Sequence, residues 1–287
     1  MSVNEKNQLG QFIPLHYHFQ MLSDTPRVQG FKSAIERVVK PHHKVVELGS
    51  GTGVLSFFAA SQGAKVQSIE FNPALANASR TFLDKNGVGD RVTVIEADAS
   101  KWSPEEPVDV VVCEMLHSAL LREKQVEVIQ SFREKHQEKF GVIPIFIPSA
   151  SLLGVQPVMQ DYVFEGYRAE VPLFQSPYHA AKTEEVNKPV VYQIVDYDNA
   201  IVEKHDCKAT FSFNTASTFN AFRFITKNLL ASNSTGSDIW DWHNQHLLFP
   251  TPGEISVEAG QNVILKFSYT AGDPIEVITD TMNITIH

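Results

Sequence analysis

Cysteine is scarce in this sequence, whose 287 residues include only Cys113 and Cys207. Two cysteines provide no disulfide framework of the kind that stabilises small secreted domains. The low count fits a protein that folds in a reducing compartment. A chain of this length can bury one large core or two modest ones without covalent crosslinks.

Clusters of basic residues are also absent, and 33 acidic residues outnumber 24 basic ones to give a net charge of −9. Affinity for a nucleic-acid backbone is built from clustered Lys and Arg side chains. We therefore expect no extended nucleic-acid surface. An acidic surface would instead attract a cationic partner.

Long apolar runs are the third feature that the sequence lacks. The richest apolar segment, residues 142–155, is interrupted by Pro144 and Pro148 and is too short to span a bilayer. Residues 1–7 lack the basic and then apolar pattern of a secretory signal. We expect a cytoplasmic protein with no membrane association, and 43% hydrophobic with 20% charged residues is typical of a globular chain.

Helix and strand patterns alternate through the first half of the sequence. Residues 19–39 have helical apolar spacing with a break at residues 23–26, which predicts two helices. The next segments predict strands at 44–48, 65–69, 92–96 and 108–113 and helices at 54–61 and 73–86. This order predicts an α/β Rossmann-like domain with a mostly parallel, doubly wound sheet.

The pattern changes after Pro148, where short strand candidates follow one another with few helices between them. They occupy residues 152–158, 190–195, 207–213, 221–225, 255–257, 263–269 and 275–278. We expect domains at residues 1–148 and 149–287, the second a smaller antiparallel β-barrel or sandwich. Residues 166–188 are expected to form a short, arm-like excursion outside that sheet.

Three glycines follow the first predicted strand at alternate positions, Gly49, Gly51 and Gly53, with Glu47 two residues before the first. Glycine lets the backbone turn sharply and approach a ligand closely beside the N-terminus of the next helix. The spacing differs from the Gly-x-Gly-x-x-Gly of dinucleotide enzymes, and the lysine of a P-loop is missing. We interpret the segment as a nucleotide-binding loop.

Glu70 ends the next predicted strand, where a carboxylate can accept hydrogen bonds from both hydroxyls of a ribose. A nicotinamide cofactor would use the same contact. Glu70 therefore indicates a ribose and does not by itself identify the cofactor.

Glu114 and Glu123 follow the last predicted strand of the parallel sheet. Because the glycine loop lies upstream, we expect both carboxylates at the mouth of the nucleotide site, where they would suit a cationic substrate. The alternative is that Glu123 belongs to the solvated face of a charged helix with Arg122, Lys124 and Glu127.

Several segments together resemble the protein arginine N-methyltransferases, a family of class I S-adenosylmethionine-dependent methyltransferases. The glycine loop resembles motif I of that class, and residues 18–27 resemble the family's His-x-x-Met-Leu-x-Asp helix with its following arginine. The segment from Glu114 to Glu123 resembles the family's double-Glu loop. Residues 146–148 resemble the junction to the C-terminal barrel, and residues 242–249 loosely resemble its Thr-His-Trp loop.

The resemblance implies S-adenosyl-L-methionine as the cofactor. It places the methionine carboxylate against the guanidinium of Arg27 and the adenine beside Asp98 and Ala99. The residues implied to bind the cofactor are His18, Arg27, Glu47, Gly49, Gly51, Gly53, Glu70, Asp98 and Ala99.

The resemblance also implies a guanidino substrate, in a protein, a peptide or a small molecule. Glu114 and Glu123 would hold the guanidinium by charge-assisted hydrogen bonds. Asp24 with His243, or with His246, would accept the released proton, and no metal is implied. Asp24 has an alternative role as a helix N-cap.

The chain departs from the family at two places. Gln8 and Phe12 stand where the family has two tyrosines that close over the cofactor, and the excursion at 166–188 is short for a dimerisation arm. A homodimer is therefore left open. Two other functions also stay open: methylation of a small molecule or RNA on the same scaffold, and an inactive, cofactor-binding scaffold protein.

Overall fold

The computed structural model describes residues 13–232 and 236–287, so that Gln8 and Phe12 lie outside the described residues. Within those two ranges, none of the helices combines the length and the apolar character that crossing a membrane requires.

Two helices precede the first sheet, α1 (Leu15–Ser23) and α2 (Thr25–Val38), which confirms the predicted break. Asp24 separates them and caps α2, because its Oδ1 accepts a 3.1 Å hydrogen bond from the Arg27 amide. Pro26 lies in the first turn, where its missing N–H costs no helical hydrogen bond.

Five parallel strands form the predicted α/β sheet: β1 (Lys44–Leu48), β2 (Lys65–Glu70), β3 (Val92–Glu96), β4 (Val110–Cys113) and β5 (Ile145–Ile147). The helices that connect them are α3 (Val54–Ser61), α4 (Pro73–Lys85) and α5 (Gln125–Phe140). The spatial order is β3-β2-β1-β4-β5, so the strand order reverses between β1 and β4. Ligands of open parallel sheets bind at the carboxyl ends of the strands beside such a reversal.

The strands after Pro148 are antiparallel, as the sequence predicts. They are β6 (Ala150–Gln160), β7 (Val163–Phe164), β8 (Tyr167–Arg168), β9 (Leu173–Gln175), β10 (Thr183–Glu185), β11 (Val190–Asp196), β12 (Lys204–Ser212), β13 (Ser217–Ser232), β14 (Ile239–His243), β15 (His246–Val257), β16 (Asn262–Thr270) and β17 (Asn283–Ile286). The order β10-β6-β13-β15-β9 forms the main sheet, with β11 paired to β6 and β14 paired to β13. A second sheet has the order β12-β16-β17, and β7 pairs with β8.

Two predictions for this half are wrong in detail. The excursion at 166–188 does not stay outside the sheet, because β9 pairs with β15 and β10 pairs with β6. The expected strand at 275–278 is part of a helix, α6 (Glu276–Thr281), which buries Ile278. A short apolar run fits a strand and a buried helical turn equally well, and here the turn after Asp273 starts the helix.

Two hydrophobic cores lie in contact with the loop between β4 and α5. The larger core contains the parallel sheet and includes Leu116 and Leu120 of this loop. The core between the antiparallel sheets includes Ala119 and Leu121 of the same loop. The loop that carries the two glutamates is therefore anchored in both cores.

Gly53 caps α3 in a left-handed conformation with φ of 79°. A Cβ at this position would collide with the Ser79 hydroxyl of α4. Gly87 also has a positive φ, 73°, but a Cβ there would meet nothing within 4 Å. The two glycines therefore share the backbone conformation and differ in the space around them.

We expect Gly53→Ala to lower the free energy of unfolding by about 3 kcal/mol, because overpacking adds to the cost of the backbone conformation. Gly87→Ala should lower the free energy of unfolding by only about 1 kcal/mol, since the left-handed backbone conformation is the single source of strain at that position. Urea unfolding of both variants measures the difference. Equal losses would show that the contact with Ser79 does not matter.

Candidate active site

A cavity of about 1170 Å³ opens at the carboxyl ends of the parallel strands. Every predicted site residue except Gly53 lines it: Asp24, His18, Arg27, Glu47, Gly49, Gly51, Glu70, Asp98, Ala99, Glu114, Glu123 and His243. The structure thus brings together residues from both halves of the chain. Gly53 lies behind the cavity, where it allows α3 to pack on α4.

The glycine loop forms the floor of the cavity. Gly49 and Gly51 have φ values of 72° and 55°, and side chains pack directly against their backbones. A Cβ on Gly49 would lie 2.7 Å from the sulfur of Met115, and one on Gly51 would lie 2.7 Å from the His18 ring. Glycine is therefore required at both positions for conformation and for space.

Glu47 is buried at the end of β1 and supports the loop from beneath. Its Oε2 accepts hydrogen bonds from the amide of Ser56, at 2.8 Å, and from the Ser56 hydroxyl. Burial raises the pKa of Glu47 to about 8, although the Ser56 hydrogen bonds oppose the rise. Glu47 ties the strand to the first turn of α3.

Glu70 lies at the end of β2 with both carboxylate oxygens directed at backbone amides. Oε2 accepts a 2.7 Å hydrogen bond from Gly51, and Oε1 accepts one of 2.8 Å from Asn72. Each oxygen keeps a further lone pair, so the carboxylate can also accept bonds from two hydroxyls.

Asp98 and Ala99 follow β3 at the side of the cavity. The Asp98 Oδ1 accepts hydrogen bonds from the Ser100 amide, at 3.0 Å, and the Ser100 hydroxyl, at 2.8 Å. Burial raises the pKa of Asp98, but these bonds and the Lys101 ammonium outweigh it and lower the pKa overall. Ala99 is buried and gives this wall an apolar surface.

Arg27 connects α2 to the first glutamate of the loop. Its Nη2 forms an ion pair with Oε2 of Glu114, and its Nη1 donates a 3.1 Å hydrogen bond to the Met21 carbonyl. Only 9% of Arg27 is exposed. The contact uses one of the two Glu114 oxygens.

Glu123 reaches the same cavity from the other end of the loop. Burial and the nearby Glu114 charge raise its pKa to about 8, while Arg27 and Arg122 oppose the rise. The loop turns back through Ala119, Leu120 and Arg122, whose φ values are 56°, 57° and 62°. Non-glycine residues in this region persist only where the surrounding structure fixes them.

Gln125 and Asn244 also hold the loop, and the sequence analysis did not identify them. Gln125 accepts a 2.8 Å hydrogen bond from the Met115 amide and donates one of 2.8 Å to the Cys113 carbonyl. Asn244 donates a 3.0 Å bond to the Leu116 carbonyl. No local motif marks either residue, because Gln125 acts on backbone 10 and 12 residues away and Asn244 on backbone 128 residues away.

Asp24 and His243 both line the cavity, Asp24 from the N-cap of α2 and His243 from the end of β14. Asp24 fulfils the N-cap role and lines the cavity at the same time. Burial, with the charge of Lys227, lowers the pKa of His243, so its imidazole is held in the neutral form. His246 lines a smaller adjoining cavity of about 340 Å³ with Arg223 and is the less suitable partner.

Among the charged residues that line the cavity, carboxyl groups outnumber basic groups. Arg27, Arg122 and Lys124 are the basic residues that line it, against Asp24, Glu47, Glu70, Asp98, Glu114 and Glu123. Among the described residues, no group of three or more His, Cys, Asp or Glu side chains is arranged to hold a metal ion. The arrangement favours a cationic ligand.

Sequence comparison links the chain to known methyltransferases. A family model described as a methyltransferase domain matches residues 45–136. An uncharacterised protein of Methanocaldococcus jannaschii is 34% identical over 181 residues, which cover 63% of this chain and 65% of that protein. The arginine N(omega)-methyltransferase of Streptomyces achromogenes subsp. streptozoticus is 33% identical over 154 residues, covering 52% and 42%. The chain thus spans less than two thirds of either relative.

Structural comparison extends the likeness to almost the whole chain. A Trypanosoma brucei PRMT1 enzyme-prozyme heterotetrameric complex with AdoHcy superposes with a TM-score of 0.70 at 14% identity, over 94% of this chain and 96% of that chain. At this identity the match establishes the fold, including the parallel sheet followed by antiparallel strands. Residues 45–136 thus match a methyltransferase domain, and the chain as a whole is similar in fold, and in part in sequence, to the protein arginine N-methyltransferases, a family of class I S-adenosylmethionine-dependent methyltransferases.

Proposed function

We propose that the protein transfers a methyl group from S-adenosylmethionine to a guanidino nitrogen of arginine, in a protein or peptide. The observation that supports this most directly is the approach of Glu114 and Glu123 to one cavity beside the glycine loop. Two carboxylates beside a cofactor site suit a planar cation with several N–H donors.

The residues around the glycine loop fit the cofactor. The backbone at Gly49 and Gly51 has no room for a side chain, and the lone pairs left on Glu70 match two ribose hydroxyls. Arg27 provides a buried guanidinium for a carboxylate. The buried Nε2 atom of His18 has no hydrogen-bond partner among residues 13–232 and 236–287, as expected of a polar atom that faces a ligand.

The chemistry needs an electrophilic methyl group, which S-adenosylmethionine would supply from its sulfonium centre. The leaving group would be the thioether S-adenosylhomocysteine. A guanidinium is a poor nucleophile because its lone pairs are delocalised. Glu114 and Glu123 would accept hydrogen bonds from two nitrogens and draw positive charge toward them. The third nitrogen would then be fixed in place with more electron density for bond formation.

The methylated nitrogen must lose a proton after transfer. Asp24 and His243 line the cavity and are suitable acceptors, since the imidazole of His243 is held neutral. A neutral imidazole can accept a proton, whereas a protonated one cannot. No metal is needed for this step.

Free arginine is the principal alternative substrate. The name of the Streptomyces relative specifies arginine, and that of a Danio rerio relative, 34% identical over 152 residues, specifies protein arginine. Labelled S-adenosylmethionine incubated with arginine-rich peptides, free arginine, small molecules and RNA distinguishes these substrates. Transfer to a non-guanidino acceptor alone would refute the proposal, as would tight cofactor binding without any transfer.

The carboxylate clamp predicts a large effect of a single isosteric substitution. Glu123→Gln should reduce kcat/KM for an arginine peptide by about 100-fold or more, because it removes the charge that acts on the guanidinium. Glu127→Gln is the matched control, since Glu127 is exposed on α5 and pairs with Lys124 at 3.6 Å. Cofactor affinity, measured by calorimetry, should be unchanged in both. Equal kcat/KM in the two variants would contradict the clamp.

The raised pKa of Glu123 predicts a pH dependence. Glu123 is protonated below about pH 8 in the free enzyme, and only its ionised form can hold a guanidinium. We expect kcat/KM to rise about tenfold per pH unit toward pH 8 and then to level off. Initial rates across this range should show the rise of kcat/KM in the wild type and not in Glu123→Gln. The same rise in the variant would assign the pH dependence to another group.

The ribose contact predicts a loss of cofactor affinity. Glu70→Ala should weaken binding of S-adenosylhomocysteine by at least about tenfold, because two hydroxyl contacts and the support of the Gly51 amide are lost. Glu96→Ala is the control, because Glu96 lies beside Glu70 in the sheet register and is exposed. Calorimetry measures both affinities, and similar losses would show that Glu70 is not a ribose ligand.

A further inference from the structure

Four polar side chains form a continuous hydrogen-bonded path through the interior of the protein, and a fifth, Gln125, lies beside the start of the path at Tyr197. They come from distant parts of the chain, and each is at most 5% exposed. The path runs through Tyr197, Ser151, Asn228 and Asn244, and we call these four residues together with Gln125 the polar ring.

The direction of the hydrogen bonds can be assigned from the number of protons available. Ser151 has one hydroxyl proton, which it donates to Oδ1 of Asn228 at 2.7 Å. The 2.9 Å contact between the hydroxyls of Ser151 and Tyr197 must therefore use the Tyr197 proton. The Tyr197 oxygen is left as an acceptor, and its contact with the Gln125 side chain opposes the burial that raises the tyrosine pKa.

The second half of the path continues in the same sense. Asn228 donates through Nδ2 to Oδ1 of Asn244 at 2.8 Å. Asn244 then donates through its own Nδ2 to the Leu116 carbonyl at 3.0 Å. Every donor in the path therefore points the same way, an arrangement in which neighbouring hydrogen bonds polarise and strengthen one another.

Two members of the polar ring hold the backbone on either side of Glu114. Gln125 binds the Cys113 carbonyl and the Met115 amide, which flank this residue directly. Asn244, at the end of the hydrogen-bonded path, binds the carbonyl of Leu116, two positions beyond Glu114. Both residues therefore hold the segment that carries the glutamate.

Apolar residues of similar size would fill this interior at less cost in desolvation. Hydrogen bonds are directional, so the polar path specifies one position of the backbone, whereas apolar packing would not. We propose that the polar ring is a positioning device that fixes Glu114 for the guanidinium, an inference that rests on the proposed function. Tyr197 and Ser151 act through Asn228 and Asn244, without touching the substrate.

Tyr197→Phe tests the ring, because it removes one hydroxyl and keeps the shape of the buried ring. Tyr192→Phe is the matched control, because the Tyr192 hydroxyl bonds that of Tyr269 at 3.0 Å and makes no hydrogen bond to the polar ring among the described residues. Hydrogen exchange of the full-length protein would report on residues 113–121. Turnover of an arginine peptide and calorimetry with S-adenosylhomocysteine complete the comparison, and thermal melts establish that both variants fold.

We expect Tyr197→Phe to speed amide exchange in residues 113–121 about tenfold and to lower kcat about 10-fold or more, with cofactor affinity unchanged. Tyr192→Phe should leave all three quantities unchanged. Adding Asn244→Leu to Tyr197→Phe should cost no more than Asn244→Leu alone, because both break the same path.

Unchanged exchange or unchanged kcat in Tyr197→Phe would overturn the proposal. So would equal effects of Tyr197→Phe and Tyr192→Phe, which would assign the change to a general loss of packing. If the wild type transfers no methyl group to arginine, the proposed function fails separately. The exchange measurement then still shows whether the ring holds the loop, while the positioning role for a guanidinium falls with the function.

Discussion

The burial of the β4–α5 loop in two cores is the constraint on which the rest of the site depends. Ala119 and Leu121 contribute to the core between the antiparallel sheets, while Leu120 packs in the core of the parallel sheet. This alternation requires a left-handed backbone conformation at non-glycine residues, which costs about 1–3 kcal/mol for each residue. Burial of the apolar side chains, at about 25 cal/mol per Å², offsets that cost. The loop is consequently rigid, and Glu114 and Glu123 are held at fixed ends of it.

The same constraint explains why the antiparallel half matters to the proposed chemistry although the residues expected to bind the cofactor belong to the first half. The Thr226 hydroxyl accepts a 2.7 Å hydrogen bond from the Ala119 amide, and the Gln245 carbonyl accepts one of 2.5 Å from Ser118. Asp273 accepts a further bond of 2.9 Å from the Arg122 amide. These contacts come from three separate segments of the second half. The β4–α5 loop could not keep its conformation if the second half were removed.

The sequence predicted the parts of the site that depend on local pattern. Glycine spacing predicted the loop that forms the cavity floor, and a carboxylate at a strand end predicted Glu70, which also lines the cavity, because both signals lie within a few residues. Gln125 and Asn244 could not be found in this way, since their partners are backbone groups brought close only by the complete fold. The prediction of a strand at 275–278 was wrong for a related reason. The apolar residues of this segment fit a strand or a helix equally well, and the segment forms a helix that packs Ile278 in the second core.

The ionisation of Glu123 gives the proposed site a basis for selecting cations. Its pKa of about 8 means that the free cavity holds this carboxyl in the neutral form at neutral pH. A guanidinium placed between the two glutamates stabilises the ionised form, and each pKa unit by which it lowers Glu123 corresponds to about 1.4 kcal/mol. The ionisation of Glu123 lowers the net binding free energy of the guanidinium. A neutral amide of similar shape provides no charge to drive this ionisation and would leave Glu123 protonated. Glu114 and Glu123 would therefore discriminate between ligands by charge as well as by hydrogen-bond geometry.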